Sequence, residues 1–374
     1  MEKQKGHVLV VSYPAQGHIN PLLQFAKCLA SKGLKASFAT TRYTVNSINA
    51  HGIDVLPISD GFDEGGFKQA LSLEAYLESF RIIGSKTLTE LIHSLEASTL
   101  PINCLVCDSL LPWGLEVATS LGILSVVFLT NSVSVCLIYS QIDLGLLPLS
   151  VKPENVPVLL PGLPPLGHGD MPSFMEPPNI YLTAIMEMFA SLDQNDFVLA
   201  NTFQKLEMRS RQTQNMEAAY VNPGAASAQN GSTVCPKLVV YVSFGSMARI
   251  SANQVEQIAY GLIDTKLSFL WVVREHENKT IPSEFLNRLD SRVGLLVLWC
   301  NQLDVLANRA VGCFLTHCGW NSTLEALSLG VPVVAVPQWN DQPMNAKFIE
   351  EVWKVGVRGK KDGGGIVRKE EVKR

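Results

Sequence analysis

Two stretches of this chain, His7-Val-Leu-Val-Val-Ser12 and Leu238-Val-Val-Tyr-Val-Ser243, are apolar without alternation. A strand with one face in water alternates between polar and apolar residues, whereas a strand covered on both faces does not. Each run is therefore predicted to be an inner strand of a parallel sheet, and each is followed by a turn and a helical pattern. Two such starts in 374 residues point to two α/β domains, since a single core stops growing at roughly 250–300 residues.

After the first run, Tyr13 to Gly17 reads as a turn. Asn20-Pro21 reads as a helix start, a cap residue followed by Pro at the first helical position, with the helix running to about Lys32 and ending at Gly33. Further strands are expected at Lys35–Ala39, Ile53–Ile58, Ile102–Cys107, Leu124–Leu129 and Phe197–Asn201, with helices over Leu73–Leu95 and Pro112–Leu121. Nine prolines between Pro148 and Pro178 exclude helix and central strand and predict a long irregular surface loop. Asn179–Gln194 reads as a helix rich in Met and Phe, its apolar face assigned to the core.

The stretch from Met208 to Lys237 changes character. Ala218 to Pro236 is rich in Ala, Gly, Ser and Asn and reads as a linker. The expected division is thus residues 1–207, a linker over 208–237, and a second Rossmann-like domain over 238–374. In the second domain strands are expected at Ser268–Val273, Leu295–Leu298, Gly312–Thr316, Val331–Val336 and Val355–Arg358. Helices are expected near Ser251–Thr265, Gln302–Ala310, Ser322–Leu329 and Asn340–Glu351, with another starting at Val367.

Composition excludes several functions. A net charge of −4 leaves no electrostatic footprint for nucleic acid. No apolar run reaches the roughly 18 residues of a membrane span, and Met1 to Gly6 leaves no room for a signal peptide. The eight cysteines fit a reduced, cytoplasmic protein. Cys104 and Cys107, three apart in an apolar run, read as core residues rather than a metal pair. No G-x-G-x-x-G follows the first strand, and Gly84-Ser-Lys-Thr87 lacks the Gly that a P-loop places before its Lys. No Asp-x-Asp is present to hold a metal-diphosphate, so no metal is expected.

Ligands in doubly wound sheets sit at the carboxyl ends of strands. His18 and Asp108 each lie just past such an end. If their strands are neighbours, a neutral His with a carboxylate behind it forms a general-base pair. A His in a polar turn is otherwise a surface or capping residue, and the sequence by itself leaves both readings open. His7, His51, His93, His168 and His276 read as structural or solvated.

Trp299 to Gln342 is a second candidate site. A strand delivers Trp299 to a turn, and another delivers His317-Cys-Gly-Trp-Asn-Ser322 directly before a helix. A helix N-terminus with its unpaired N–H groups is suited to an anion such as phosphate.

This 44-residue span resembles the signature box of plant family 1 UDP-dependent glycosyltransferases, the glucosyltransferases of secondary metabolism. Tyr13-Pro-Ala-Gln-Gly-His-Ile-Asn-Pro21, the strand ending in Asp108, and Val242-Ser-Phe-Gly-Ser246 also look like that family. The first hundred residues look most like the branch that glucosylates carboxylic acids and phenols. The resemblance implies an α/β fold of two Rossmann-like domains facing across a cleft, the GT-B type. It implies that Trp299 stacks on uracil, with Cys300 among the UDP-sugar contacts, and that Gln302 and Glu325 hydrogen-bond the ribose. His317 would hold the diphosphate with Asn321, Ser322 and Ser246. Trp320, Asp341, Gln342 and Thr130 would meet the sugar, and a final Gln suggests glucose. For Glu325, a capping box with Ser322 is the structural alternative. His18 becomes the base and Asp108 its orienting partner.

The implied reaction is inverting transfer of glucose from UDP-glucose to a hydroxyl or carboxyl of a small hydrophobic acceptor. UDP-glucose serves as donor substrate, with no cofactor, no metal and a monomeric protein. Asn301 and Asn308 stand where the family has Pro and His, both tolerable changes. The junction at 208–236 is shorter than the family's. The family also continues past Arg374 in helices that cross back onto the first domain, so a loosened cleft is expected. A truncated UDP-sugar-binding protein of little activity is therefore the alternative, and a different sugar-nucleotide enzyme such as an epimerase a third.

Overall fold

A computed structural model describes residues 6–97, 100–175, 180–192, 195–203, 206–207 and 239–373. The expected linker at 208–237 lies outside the described residues. The chain separates into two compact units. One holds 6–152, 159–163 and the described residues of 174–207; the other holds 153–158, 164–173 and 239–373. The proline-rich segment, expected within the first domain, is thus divided between them.

The first unit is a six-stranded parallel sheet in the order β3-β2-β1-β4-β5-β6. Its strands are β1 (His7–Val11), β2 (Lys35–Thr41), β3 (Asp54–Ile58), β4 (Cys104–Asp108), β5 (Leu124–Leu129) and β6 (Phe197–Ala200). Its helices are α1 (Gln16–Ser31), α2 (Arg42–Val45), α3 (Leu73–Glu96), α4 (Pro112–Ser120), α5 (Val133–Asp143) and α6 (Ile180–Ala190). β1 is buried along its whole length, as its unbroken apolar run requires. Phe38, Val10, Leu22 and Phe128 meet in the core between the sheet and α1.

Helix α1 begins five residues before the predicted Asn20-Pro21 start, with Ala15 and Gln16 in the places expected of Asn20 and Pro21. Ala15 is the cap residue, and the N–H groups of His18 and Ile19 both donate to its carbonyl at 2.9 Å. Pro21 lies inside the helix, in its second turn, where it has no N–H to give to the carbonyl of Gly17. The consequence is functional: His18 stands on a helix rather than in a loop. The predicted end holds, with Gly33 at φ +85°, a conformation that glycine adopts at little cost.

The second unit repeats this topology. Its sheet runs β12-β11-β10-β7-β8-β9, built from β7 (Val239–Ser243), β8 (Ser268–Val272), β9 (Gly294–Val297), β10 (Val311–Thr316), β11 (Val333–Ala335) and β12 (Gly356–Arg358). Helices α7 (Ala252–Thr265), α8 (Glu275–Asn278), α9 (Ser283–Arg288), α10 (Gln302–Leu306), α11 (Trp320–Leu329), α12 (Gln342–Lys347) and α13 (Lys369–Lys373) cover its faces. The predicted helix over Asn340–Glu351 is a shorter α-helix followed by a π-helical turn, Phe348–Val352. Trp271, Phe285 and Ile258 pack on one face of the sheet, and Phe314, Tyr241 and Ile349 on the other.

In both units the first and fourth strands are neighbours, β1 beside β4 and β7 beside β10. The connections leave that seam in opposite directions, which opens a crevice at the carboxyl ends of the two strands. Asp108 and the turn before His18 lie there in the first unit and His317 in the second, while Trp299 follows the edge strand β9.

The proline-rich segment is not purely a surface loop. It contains three short 3-10 turns and an antiparallel bridge between Val158 and Leu166, and Leu166 and Asp170 are buried. Among the described residues, no helix is long and apolar enough to cross a membrane.

Candidate active site

In the first unit, Val11 of β1 lies opposite Cys107 of β4, so Asp108 ends β4 directly beside the turn that opens α1. His18 Nδ1 is 2.8 Å from Asp108 Oδ2 and 3.0 Å from Oδ1. The carboxylate is wholly buried and accepts two further bonds, from the N–H of Tyr13 at 3.3 Å and of Leu110 at 2.9 Å. A carboxylate so placed accepts the Nδ1–H hydrogen bond of a neutral imidazole and fixes that tautomer. The other ring nitrogen, Nε2, is then a lone-pair acceptor. The His18 side chain keeps 17% exposure, enough to meet a ligand. Thr130, expected at the sugar, is 3.4 Å by its hydroxyl from His18 Nδ1, so it belongs to this cluster.

Aromatic rings stand beside the pair. Tyr13 meets His18 edge-on at 5.4 Å between centroids and is itself packed by Tyr76 and Phe80. Tyr76 donates its hydroxyl to the buried Asp60 at 2.8 Å. Burial, with Tyr181, Tyr76 and Asp108 nearby, pushes the Tyr13 phenol well above its ordinary range, so Tyr13 stays neutral and serves as wall rather than base.

In the second unit, Trp299 lies just past β9 and is 69% exposed. The core reading of this Trp is excluded, and an indole face is available for stacking. Gln302, first residue of α10, donates its amide to Glu325 at 2.7 Å and to the Ser322 hydroxyl at 3.0 Å. Tyr241 links to this group through Gln302 and the Cys300 thiol, each at 3.4 Å. The capping box offered for Glu325 does not form, because α11 begins at Trp320 with Gly319 as its cap residue. Ser322 is already inside the first turn, and Glu325 pairs with Gln302 instead. Burial raises the Glu325 carboxyl above its usual range, while the Gln302 bond pulls it back.

The turn between β10 and α11 is tightly built. Cys318 has φ +65°, a left-handed conformation costing a non-glycine residue about 1–2 kcal/mol. It is held by its carbonyl, which accepts from Asn345 at 2.9 Å and Thr323 at 3.2 Å. Glycines flank His317 on two sides: a Cβ at Gly245 or at Gly319 would come within 2.7 Å of its Nε2. Burial lowers the His317 imidazole to about 4, against a raising contact with the Ser243 carbonyl. It is neutral at pH 7 and offers a dipole rather than a charge. Ser246 is exposed in the turn after β7, and Asn321 is partly exposed in the first turn of α11.

Trp320 is buried, its ring against Trp353 at 6.2 Å, so what it presents at the helix start is its backbone N–H. Asp341 and Gln342 are buried at the start of α12. Gln342 Oε1 accepts from the N–H groups of Gln338 and Trp339 at 2.9 and 3.1 Å, leaving its amide donors to offer. Asn345 donates to Asp341 at 2.6 Å as well as to Cys318. It thereby couples the two turns. Among the described residues, no three His, Cys, Asp or Glu side chains gather as a metal-binding group.

Comparison with known proteins decides the family. Residues 207–359 match the model of the UDP-glucoronosyl and UDP-glucosyl transferases, and residues 5–58 that of a glycosyltransferase N-terminal domain. UDP-glycosyltransferase 74B1 of Arabidopsis thaliana is 41% identical over 99% of this chain and 87% of its own. The chain belongs to the plant family 1 UDP-glycosyltransferases. The flavonol 7-O-beta-glucosyltransferase UGT74F1 of the same plant is 39% identical, covering 100% of this chain and 89% of the relative. The crystal structure of Os79 from O. sativa in complex with UDP superposes with a TM-score of 0.90 at 36% identity, covering 98% of this chain and 89% of that one. The fold is that of the GT-B glycosyltransferases, and the activity class is glycosyl transfer from a UDP-sugar.

Within this glycosyltransferase the structure adds residues that sequence reasoning passed over. Asn345, Tyr76 and Asp60 carry no motif signal of their own, and Tyr13 opens the Tyr13–Pro21 stretch without a role being assigned to it. Their partners lie elsewhere in the chain, as with Asp60 and Tyr76, or are backbone atoms of another turn, as with Asn345 and Cys318. Only a YPAQGH-type context could have drawn attention to Tyr13.

Proposed function

We propose that the chain transfers glucose from UDP-glucose to a hydroxyl or carboxyl of a small hydrophobic acceptor, with inversion, giving a β-glucoside or a glucose ester. The observation that carries this reading is the His18–Asp108 pair, with Nδ1 bonded to a buried carboxylate at 2.8 Å and Nε2 left as the base. The first unit thereby supplies what an acceptor needs. His18 Nε2 removes the hydroxyl proton, Asp108 stabilises the imidazolium that results, and the ring of Tyr13, backed by the buried Tyr76 and Phe80, suits an apolar acceptor.

The second unit supplies the donor side. Trp299 stacks on the uracil, and Gln302 and Glu325 take the ribose hydroxyls. The N–H groups at the start of α11, with neutral His317 and the hydroxyls of Ser246 and Ser322, receive the diphosphate. Asp341, Gln342 and the Trp320 N–H meet the sugar. As the acceptor oxygen bonds to the anomeric carbon, the bond from that carbon to the phosphate oxygen breaks and its electron pair leaves with UDP. Positive dipoles at the helix N-terminus stabilise that growing charge without requiring a metal. A single displacement inverts the α-linked sugar. The relative named as a glucosyltransferase and the terminal Gln342 favour glucose. A monomer in the cytoplasm fits this reading.

The test is UDP release from UDP-glucose with a panel of phenols and carboxylic acids, beside His18→Ala. Acceptor-dependent release that falls with His18→Ala on phenols supports the proposal. Absence of UDP binding, or release indifferent to the acceptor, would sink it.

A further inference from the structure

Residues 164–173, though encoded between strands of the first sheet, pack as part of the second unit. They grip one short stretch of it at two places. Ser173 donates its N–H to the Asn340 carbonyl at 3.0 Å, and its hydroxyl accepts from the Asn340 N–H at 2.5 Å. Asn340 is left-handed, at φ +58°, so both polar groups of a strained peptide position are satisfied by one residue from far away in the chain. Three residues earlier, Asp170 is 5% exposed and makes a second attachment. It accepts from Lys347 at 3.1 Å and from Arg358 at 2.7 Å. Arg358 also donates to the carbonyl of Pro343 at 3.4 Å. The stretch between these grips, 340–347, contains Asp341 and Gln342.

The burial of this arrangement argues for a purpose beyond fastening a loop. Desolvation opposes the Lys347 charge, yet Glu351 and Asp170 together leave its pKa raised, so the ammonium stays charged beside Asp170 at 3.1 Å. Removing Asp170 would take from the buried Lys347 ammonium and from Arg358 the carboxylate they share. Asn340 needs both of its Ser173 bonds to keep a conformation that puts the next two residues at the start of α12. We infer that Ser173 and Asp170 are positioning residues for the sugar end of the donor site: they fix Asn340 and α12, and so set where Asp341 and Gln342 meet the hexose. This rests on the proposed donor site. It assigns to the proline-rich segment a part in choosing the donor sugar.

The experiment uses the full chain carrying Ser173→Ala, Ser173→Thr or Asp170→Asn. Calorimetry reads the Kd of UDP, which lacks the sugar. Initial rates read kcat/KM for UDP-glucose and for UDP-galactose with an acceptor from the panel. For Ser173→Ala, UDP affinity is expected within twofold of the parent. kcat/KM for UDP-glucose is expected to fall about tenfold, and the glucose-to-galactose preference to shrink. Ser173→Thr, which keeps the hydroxyl, should restore both, and Asp170→Asn should shift the preference in the same direction. Kinetics unchanged by Ser173→Ala, or UDP and UDP-glucose weakened in parallel without rescue by Thr, would overturn the inference. A parent protein that binds no UDP fails the donor-site proposal itself, a result distinguishable because it appears before any variant is made.

Discussion

Replacing Asp108 by Asn removes one charge and changes almost no volume. The Asp108 carboxylate accepts three N–H donors: His18 Nδ1 and Tyr13 at Oδ2, and Leu110 at Oδ1. An amide has one acceptor oxygen, so one side must turn an NH2 toward a donor. With the NH2 toward Leu110, a buried N–H is left unmade at about 1–3 kcal/mol. With it toward His18, the Nδ1 must become the acceptor, and the Tyr13 N–H that shared that oxygen is left unmade as well. The proton then sits on Nε2, and the base is lost. Both arrangements therefore cost one buried N–H; the first keeps the base and the second loses it.

Because His18 has two oxygens of Asp108 within 3.0 Å and a small ring rotation serves the second arrangement, loss of the base is the expected outcome. For a phenol with a pKa near 10, only about one molecule in a thousand is ionised at pH 7, so the base is worth up to about 10³-fold, or about 4 kcal/mol. A carboxylic acid with a pKa near 4 is already ionised, and the loss should stay below about tenfold. The assay is kcat/KM on one phenol and one carboxylate matched in size. Equal losses on the two acceptors would refute the assignment of His18 as base. On the phenol, raising the pH from 7 to 9 should recover up to about 100-fold.

Other outcomes follow from single sites. Trp299→Ala should weaken UDP by about ten- to a hundredfold, the worth of one base–aromatic stack. It should leave the melting temperature unmoved, since the ring is 69% exposed; calorimetry and thermal unfolding read the two. His317 has a folded pKa near 4 against 6.5 when unfolded, so only the unfolded chain gains its proton as pH falls below 6.5. Its stabilising contribution is full above 6.5 and is lost toward pH 4, on the order of 3 kcal/mol. Urea unfolding at pH 7 and pH 5 should therefore show a smaller acid loss in His317→Gln than in the parent. Glu207 is buried and accepts from Val133, Ser134 and Thr202 at the start of α5. Glu207→Ala strands those donors and should cost about 3 kcal/mol, seen as a lower urea midpoint, with Glu207→Gln milder.

Patterns within a few residues were legible before any coordinates. Unbroken apolar runs marked β1 and β7, Gly33 marked a helix end, and the strand-turn-helix at His317 marked the tight junction of β10 with α11. The His18–Asp108 pair was legible only conditionally, because which strands are neighbours is decided by crossover connections rather than by either strand. Two local rules misled. Asn-Pro is a sound helix start, but the Ala15 carbonyl offered an earlier one. Ser-x-x-Glu reads as a capping box only if Ser322 is the cap, and the left-handed Cys318 moved the cap to Gly319. Asp170, Ser173 and Glu207 were illegible altogether. Each owes its place to partners well separated in the chain, and a proline-rich stretch gives no periodicity from which to infer them.

Cys318 gives the turn between β10 and α11 a built-in reporter. Its thiol is fully buried, and burial together with the nearby Asp341 carboxylate drives its pKa far up, against smaller pulls from the Val336 backbone and Arg358. An alkylating reagent can reach it as a thiolate only when the turn breathes open. The labelling rate then measures how often the backbone strained at φ +65° lets go. A ligand seated on the N-terminus of α11 should slow that clock in proportion to its occupancy, which turns an inert core cysteine into a timer for donor capture.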